Sequence, residues 1–319
     1  MRAALYETFG EPSTVLKTGD RPMPEPGAGQ VRVKMTRAAI HNHDLWTIRG
    51  SYGVRPPLPA IGGSEGAGLV DALGEGVTDL AVGQRVCGFA IAGAWAEYFV
   101  CAAPLPLPDA ISDELGCQLV AMPLSAMTLL EHYKVEPGEW LVQNAANGAV
   151  GKTLATIAKA RGIQVVHLVR SEGAVRELEA LGIPGAISTA DAAWRDKVRS
   201  VVGEARIACA IDALGGAASG DLCALLGTGG TFVAFGSMTG LPMQIDSGSL
   251  IFNQIKAEGF WLLKVPATET ARRVGELVKL VVTGALQLPV ASVHDLEHAA
   301  EATAASVKAS RHGKVLLRP

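Results

Sequence analysis

The most constraining stretch of the chain runs from Gly138 to Arg170. Trp140 to Val142 is a short apolar run of the kind a buried strand carries. Asn144 to Gly151 makes a tight turn, and Val150, Leu154, Ile157 and Ala158 then recur at helical spacing until Gly162 stops the helix. Val165 to Val169 forms a second strand. Strand, glycine turn, helix and strand in this order make the β-α-β unit of a dinucleotide-binding fold.

The turn is a variant of G-x-G-x-x-G, with Ala146, Gly148 and Gly151 at the three positions. Gly148 has no Cβ, so a pyrophosphate can come close to the backbone, and Gly151 lets helix and strand pack tightly. Free N–H groups and a partial positive charge at the helix start favour the phosphates. Gly148, Gly151 and the helix start that follows the turn are therefore where the phosphates are expected. A tight turn in some other α/β fold is the plainer alternative.

The second strand ends in Arg170-Ser171. Folds specific for NAD usually place an acidic residue there for the ribose 2′-hydroxyl. A guanidinium instead pairs with the oxygens of a 2′-phosphate, which points to NADPH. Glu172 keeps NAD open, and a solvated strand-end charge is the structural alternative for Arg170.

With 319 residues, the chain is long enough for two domains. A net charge of −3 implies no polyanionic partner, and no arginine-rich patch with interleaved aromatics suggests nucleic acid. No run approaches a membrane span, and the N-terminal segment reads as a mature strand, not a signal. Cys87, Cys101, Cys117, Cys209 and Cys223 are scattered and never in C-x-x-C spacing. Reduced, mostly buried cysteines of a cytoplasmic protein are expected, without a disulfide frame or a zinc knot.

Residues 1–120 carry short apolar runs punctuated by Gly and Pro, which predicts a compact β-barrel-like domain. From residue 138 onward, strand-like runs at 140–144, 164–169, 185–188, 207–211, 229–235 and 256–262 alternate with helical segments at 149–161, 172–181, 191–202 and 216–226. That alternation predicts a parallel sheet covered on both faces. Helices near 268–284 and 295–305 and a last strand at Lys314–Leu317 complete the tail. The expected organisation is a catalytic β-rich domain at 1–121, completed by 263–319, and a nucleotide domain at 122–262.

A β-rich first domain, a glycine-turn nucleotide domain and a returning tail resemble the medium-chain dehydrogenase/reductase superfamily. The resemblance implies an α/β fold with an N-terminal GroES-like β-barrel catalytic domain and a Rossmann doubly wound parallel-sheet domain. Where zinc-dependent members carry a cysteine and a histidine, this chain has His41 and Ser64, and the stretch Ala121-Met122-Pro123 supplies no clear third ligand. No metal is expected. Ile48 to Gly53, Leu58 to Gly66, Gln143 to Gly151, Phe235 to Met238 and Gly259 to Leu262 are similar to the zinc-free enoyl thioester reductase branch. The stretch His41 to Trp46 and the pair Met122-Pro123 depart from that branch.

By this resemblance Tyr52 matches the catalytic tyrosine, and Asn147, Gly148, Ala149, Val150, Arg170, Ser171, Glu172, Phe235, Gly236, Ser237, Met238, Phe260, Trp261, Leu262 and Lys314 match cofactor contacts. A phenol can donate a proton near pH 7, and the glycine-flanked loop around Tyr52 suits an active-site lid. A half-buried loop tyrosine is the plainer reading, and for Lys314 a solvated C-terminal lysine is. His41, His43, Trp46 and Trp95 are pocket candidates for a small-molecule substrate, although the plainer reading is packed, hydrogen-bonded remnants of a metal site for the histidines and core packing for the tryptophans. An enoyl thioester is the first expectation, with an enone or quinone next. A zinc-type alcohol dehydrogenase and a non-catalytic NADPH-binding protein stand behind these. The strand ending at Leu262 would sit last in the sheet, where superfamily members often pair across a two-fold axis, so a homodimer is expected.

Overall fold

The computed structural model describes residues 1–102, 104–308 and 311–319. The chain divides into two compact units, 1–121 with 278–319, and 122–277. The helix Ala267–Val282 runs across the second of these boundaries, so the tail joins the first unit some fifteen residues later than the sequence pattern suggested.

The first unit opens with β1 (Arg2–Tyr6), β2 (Lys17–Asp20), β3 (Gln30–Ala39) and β4 (Ala60–Ile61), and continues with β5 (Glu65–Leu73), β6 (Arg85–Phe89), β7 (Tyr98–Ala102) and β8 (Leu105–Pro106). Along β3 the inward residues Val31, Val33 and Met35 alternate with polar ones, as a half-buried strand requires. They join Tyr6, Ile40, Leu45, Ile48, Trp95 and Phe99 in one core cluster. The second unit contributes β9 (Trp140–Gln143), β10 (Gln164–Val169), β11 (Ile187–Ser188), β12 (Ile207–Asp212), β13 (Thr231–Ala234) and β14 (Lys256–Gly259). The tail adds β15 (Val290–Asp295) and β16 (Lys314–Arg318). In the first unit β16 pairs with β15 on one side and β3 on the other, giving the sheet order β15-β16-β3-β5-β6-β8, with β7 also on β3. A second sheet is β2-β1-β4.

In the second unit the order is β11-β10-β9-β12-β13-β14, all parallel. This is the doubly wound arrangement, and the direction of winding reverses between β9 and β12. The helix Ala149–Ala160 buries Val150, Leu154, Ala155, Ile157 and Ala158, the apolar stripe that its spacing predicts. Two expected strands are shorter than their apolar runs. The ladder of β11 begins only at Ile187, because Pro184 has no N–H to donate and Gly185 has φ +77°. β14 ends at Gly259, and Leu262–Lys264 turns into a 3₁₀ helix. Among the described residues no helix is long and apolar enough to cross a membrane.

Candidate active site

In the first unit, β3 delivers the chain to His41, which caps the helix Asn42–Arg49. The Asp44 carboxylate accepts the His41 backbone N–H at 2.8 Å, which fixes the start of that helix. Glu65 opens β5 and is fully buried, as is His41. His41 Nε2 lies 2.8 Å from Glu65 Oε2. The backbone N–H groups of Val120 and Ala121 donate to the same carboxyl at 2.6 and 3.2 Å. Burial pushes Glu65 up to about 8 and holds His41 well below the usual histidine range. At neutral pH the contact is therefore a hydrogen bond between neutral groups, although its geometry is that of an ion pair. Lys314, the first residue of β16, is buried beside this pair, with Nζ 3.4 Å from the Ile40 carbonyl. Burial pushes its ammonium down to about 8. It is not a solvated tail lysine.

His43 is the second residue of the same helix. Its Nε2 is 2.6 Å from Ser64 Oγ, and Ser64 in turn donates to Asp44 Oδ1 at 2.6 Å. The hydroxyl's hydrogen is used on Asp44, so Ser64 accepts from His43, and Nε2 carries the ring hydrogen. Burial lowers the His43 pKa, so the ring is neutral near pH 7. Its ring stacks on His41 at 5.1 Å and on Tyr52 at 5.6 Å between centroids, with interplanar angles of 12° and 27°. The sequence brought His41, His43 and Tyr52 forward as separate candidates; the structure makes them one stack, with half-buried Tyr52 at its outer end.

Trp95 does not line a pocket. It is fully buried, and its indole N–H donates to the Ala39 carbonyl at 3.1 Å. A Cβ at Gly62 or Gly63 would come within 2.3 or 2.2 Å of its ring, so these glycines exist to admit the indole. Trp46 is half-buried and packs on the same core. The donor set does not suit zinc. His41 is engaged by Glu65, Ser64 stands where a second strong ligand would be needed, and among the described residues no group of three His, Cys, Asp or Glu side chains is placed to hold a metal ion.

In the second unit, Gly148 caps the helix Ala149–Ala160 without a side chain, leaving the first-turn N–H groups to a ligand. A Cβ on Gly151 would lie 2.6 Å from the Ala146 carbonyl oxygen, so the helix can approach β9 this closely only with glycine there. Asn147 Nδ2 and Lys152 Nζ both reach Glu177, at 3.3 and 2.9 Å, which ties the turn to the helix Glu172–Ala180. Arg170 is exposed at the end of β10 and makes no hydrogen bond or ion pair among the described residues. Ser171 caps the next helix by accepting from the Ala174 N–H. Phe235 and Gly236 follow β13 and are half-buried, whereas Ser237 and Met238 are exposed. Phe260, Trp261 and Leu262 follow β14 and are half-buried. These features fit a dinucleotide: an open helix start for the pyrophosphate and an unpaired guanidinium for a 2′-phosphate.

Sequence reasoning passed over the polar support of this turn. Asn144 Nδ2 donates to Asp212 Oδ1 at 2.6 Å, while Asn144 Oδ1 accepts the Ala213 N–H at 2.8 Å. Asp212 is fully buried and also accepts from Leu214 N–H and Ser219 Oγ. Gln143 holds the Gly151 carbonyl and His167. The link joins the ends of β9 and β12 at the reversal of winding. Polar residues closing two apolar strand runs were the only sequence signal for it.

Comparison with known proteins sets this geometry in context. The family described as alcohol dehydrogenase GroES-like domain matches residues 27–109, and the family described as zinc-binding dehydrogenase matches residues 149–280. The human mitochondrial enoyl-[acyl-carrier-protein] reductase is 30% identical over 329 positions, covering 99% of this chain and 88% of its own. A Bacillus thuringiensis protein named as a candidate NADPH:quinone reductase superposes with a TM-score of 0.92 at 27% identity, covering 100% of this chain and 98% of its own. A mycobacterial protein solved in complex with NADPH superposes at 0.91 with 26% identity, covering both chains fully at 100%.

Proposed function

The chain belongs to the medium-chain dehydrogenase/reductase superfamily, and from that premise we propose that it is a zinc-independent, NADPH-dependent reductase of activated carbon–carbon double bonds, with enoyl thioesters as its substrate class. Tyr52, at the outer end of the histidine stack, carries this reading. It is a phenol on a loop, stacked on the ring of His43, which contacts Ser64 at 2.6 Å. The relative named as an enoyl reductase, similar along nearly all of the chain, supports the substrate class. NADPH, when bound, supplies the hydride for the acceptor's β-carbon. The turn from Asn147 to Gly151 binds its pyrophosphate and Arg170 its 2′-phosphate. Tyr52 gives its Oη proton to the α-carbon as the enolate collapses. Five free and buried cysteines agree with a reducing compartment, for which we propose the cytoplasm.

A second reading, quinone reduction on the same scaffold, is favoured by the close superposition on the Bacillus thuringiensis protein. One assay separates the two. NADPH oxidation is followed with crotonyl-CoA and with a small quinone, using wild type and Tyr52→Phe. The expected result is thioester turnover that falls by about 10²-fold or more in the variant, the usual weight of a general acid. Turnover of the quinone alone, untouched by the substitution, would overturn the enoyl reading and return Tyr52 to a loop tyrosine.

A further inference from the structure

Tyr52 lies outside every helix and strand, between Gly50 with φ +74° and the irregular segment that leads to β4. Backbone geometry there does little to fix a ring. A proton donor, by contrast, needs its hydroxyl placed within a fraction of an ångström, and such placement is one of the larger contributions to rate. A neighbouring side chain that is itself immobile can contribute that fixing.

We propose that His43, locked by Ser64 and Asp44, is the positioning residue that holds the Tyr52 phenol in its working orientation. His43 sits in the first turn of a helix that Asp44 caps, so its backbone is rigid. Rotation of its ring is stopped by the 2.6 Å contact to Ser64 Oγ, and Ser64 is stopped by its own 2.6 Å bond to Asp44. The inner face of the ring is closed by His41, which Glu65 holds at 2.8 Å. The Tyr52 phenol stacks on the same His43 ring, 5.6 Å between centroids and 27° between planes. The order of constraint runs Asp44, Ser64, His43, Tyr52. A stack transmits orientation rather than a proton, so His43 acts through the position of Tyr52 and not as an acid.

The inference rests on Tyr52 being the donor, and the experiment keeps the two apart. Steady-state kinetics with NADPH and crotonyl-CoA are measured for Tyr52→Phe, His43→Ala, His43→Phe and the double variant His43→Ala with Tyr52→Phe. In parallel, the protein is labelled with ¹³C in its four tyrosine rings, and the Tyr52 resonance is assigned by its loss in Tyr52→Phe. His43→Ala is expected to lower kcat by about tenfold or more with little change in KM, and His43→Phe, which restores a flat ring, to recover most of that loss. In the Tyr52→Phe background His43→Ala should cost nothing further, because there is no hydroxyl left to place. The Tyr52 resonance should move in His43→Ala, since the neighbouring ring current is gone. Equal loss from His43→Ala in both backgrounds, or an unmoved Tyr52 resonance, would overturn the positioning role while leaving Tyr52 as donor. An unchanged rate in Tyr52→Phe would overturn the donor reading and this inference with it.

Discussion

Glu65 is a carboxyl sealed from water, and its energetics decide the state of the whole polar cluster. Burial raises it to about 8, so the folded protein holds a proton that the unfolded chain would release at much lower pH. Its contribution to stability is therefore fully present below the ordinary carboxylate range and is lost as pH rises through about 8. His41 and His43 are shifted downward, so they oppose this slope only below the ordinary histidine range, about 6.5. Lys314, pushed down to about 8, adds its opposite slope only above that value. Between about pH 6.5 and 8 the Glu65 slope should stand alone. Urea midpoints in that window should fall with pH for wild type and stay nearly level for Glu65→Gln, which cannot titrate there; its amide oxygen can keep the Val120 N–H, while its amide nitrogen replaces the oxygen that accepts from Ala121. Matching slopes in both proteins would refute the neutral-pair account. Arg170 offers a second single-residue test. Loss of two charge-assisted hydrogen bonds to a 2′-phosphate, at about 1.5–3 kcal/mol each, predicts that Arg170→Ala raises KM for NADPH by about a hundredfold or more. KM for NADH should hardly move. An equal rise for both cofactors would make Arg170 a general electrostatic contact and remove the argument for NADPH.

At the level of elements, the strand-turn-helix from Trp140 to Ala160 shows what a sequence can and cannot disclose. The helix was legible because Val150, Leu154, Ile157 and Ala158 repeat at its period, and the turn because Gly148 and Gly151 have few other reasons to sit there. The Asn144–Asp212 bond was not legible, since it joins residues 68 apart and depends on which strands become neighbours. His41 was named by itself, but its pairing with Glu65 was hidden for the same reason: a buried pair assembled from a helix cap and a distant strand has no local pattern. The shortness of β11 could have been anticipated from Pro184 and Gly185, which the apolar run that follows them outweighed. The close packing at Gly151 gives a direct prediction. In Gly151→Ala the new methyl would stand 2.6 Å from the Ala146 oxygen and 2.7 Å from its Cα, and backbone cannot swing aside as a side chain can. A cost of about 1–3 kcal/mol in urea unfolding is expected, together with weaker NADPH binding by calorimetry, because the helix start shifts with it. A variant with wild-type stability and affinity would show that the turn has slack the coordinates do not suggest.

For the whole molecule the open question is what covers the edge of the parallel sheet. β14 is last in the order, and all four of its residues are exposed, so among the described residues one row of its backbone N–H and C=O groups has no ladder partner. Proteins rarely leave such an edge bare. In the same unit Phe252 is 81% exposed and Ile251 60%, an arrangement that costs apolar hydration unless something buries it. Both residues belong to the short helix that leads into β14, so the apolar side chains and the open edge are adjacent in the chain. A second copy related by a two-fold axis would pair β14 with itself in antiparallel fashion and cover these side chains with their own counterparts, which is the self-complementarity an isologous interface requires. We therefore propose a homodimer formed through this edge. Sedimentation should give twice the chain mass of 33.1 kDa for wild type. Phe252→Glu should sediment as a monomer at micromolar concentration, because burying two like charges against each other across the axis opposes association. The fold of each unit should persist in that variant, since Phe252 is exposed and lies outside the buried core cluster of its unit. A wild-type mass independent of concentration and equal to one chain would exclude the dimer, and the exposed edge would then need a different partner.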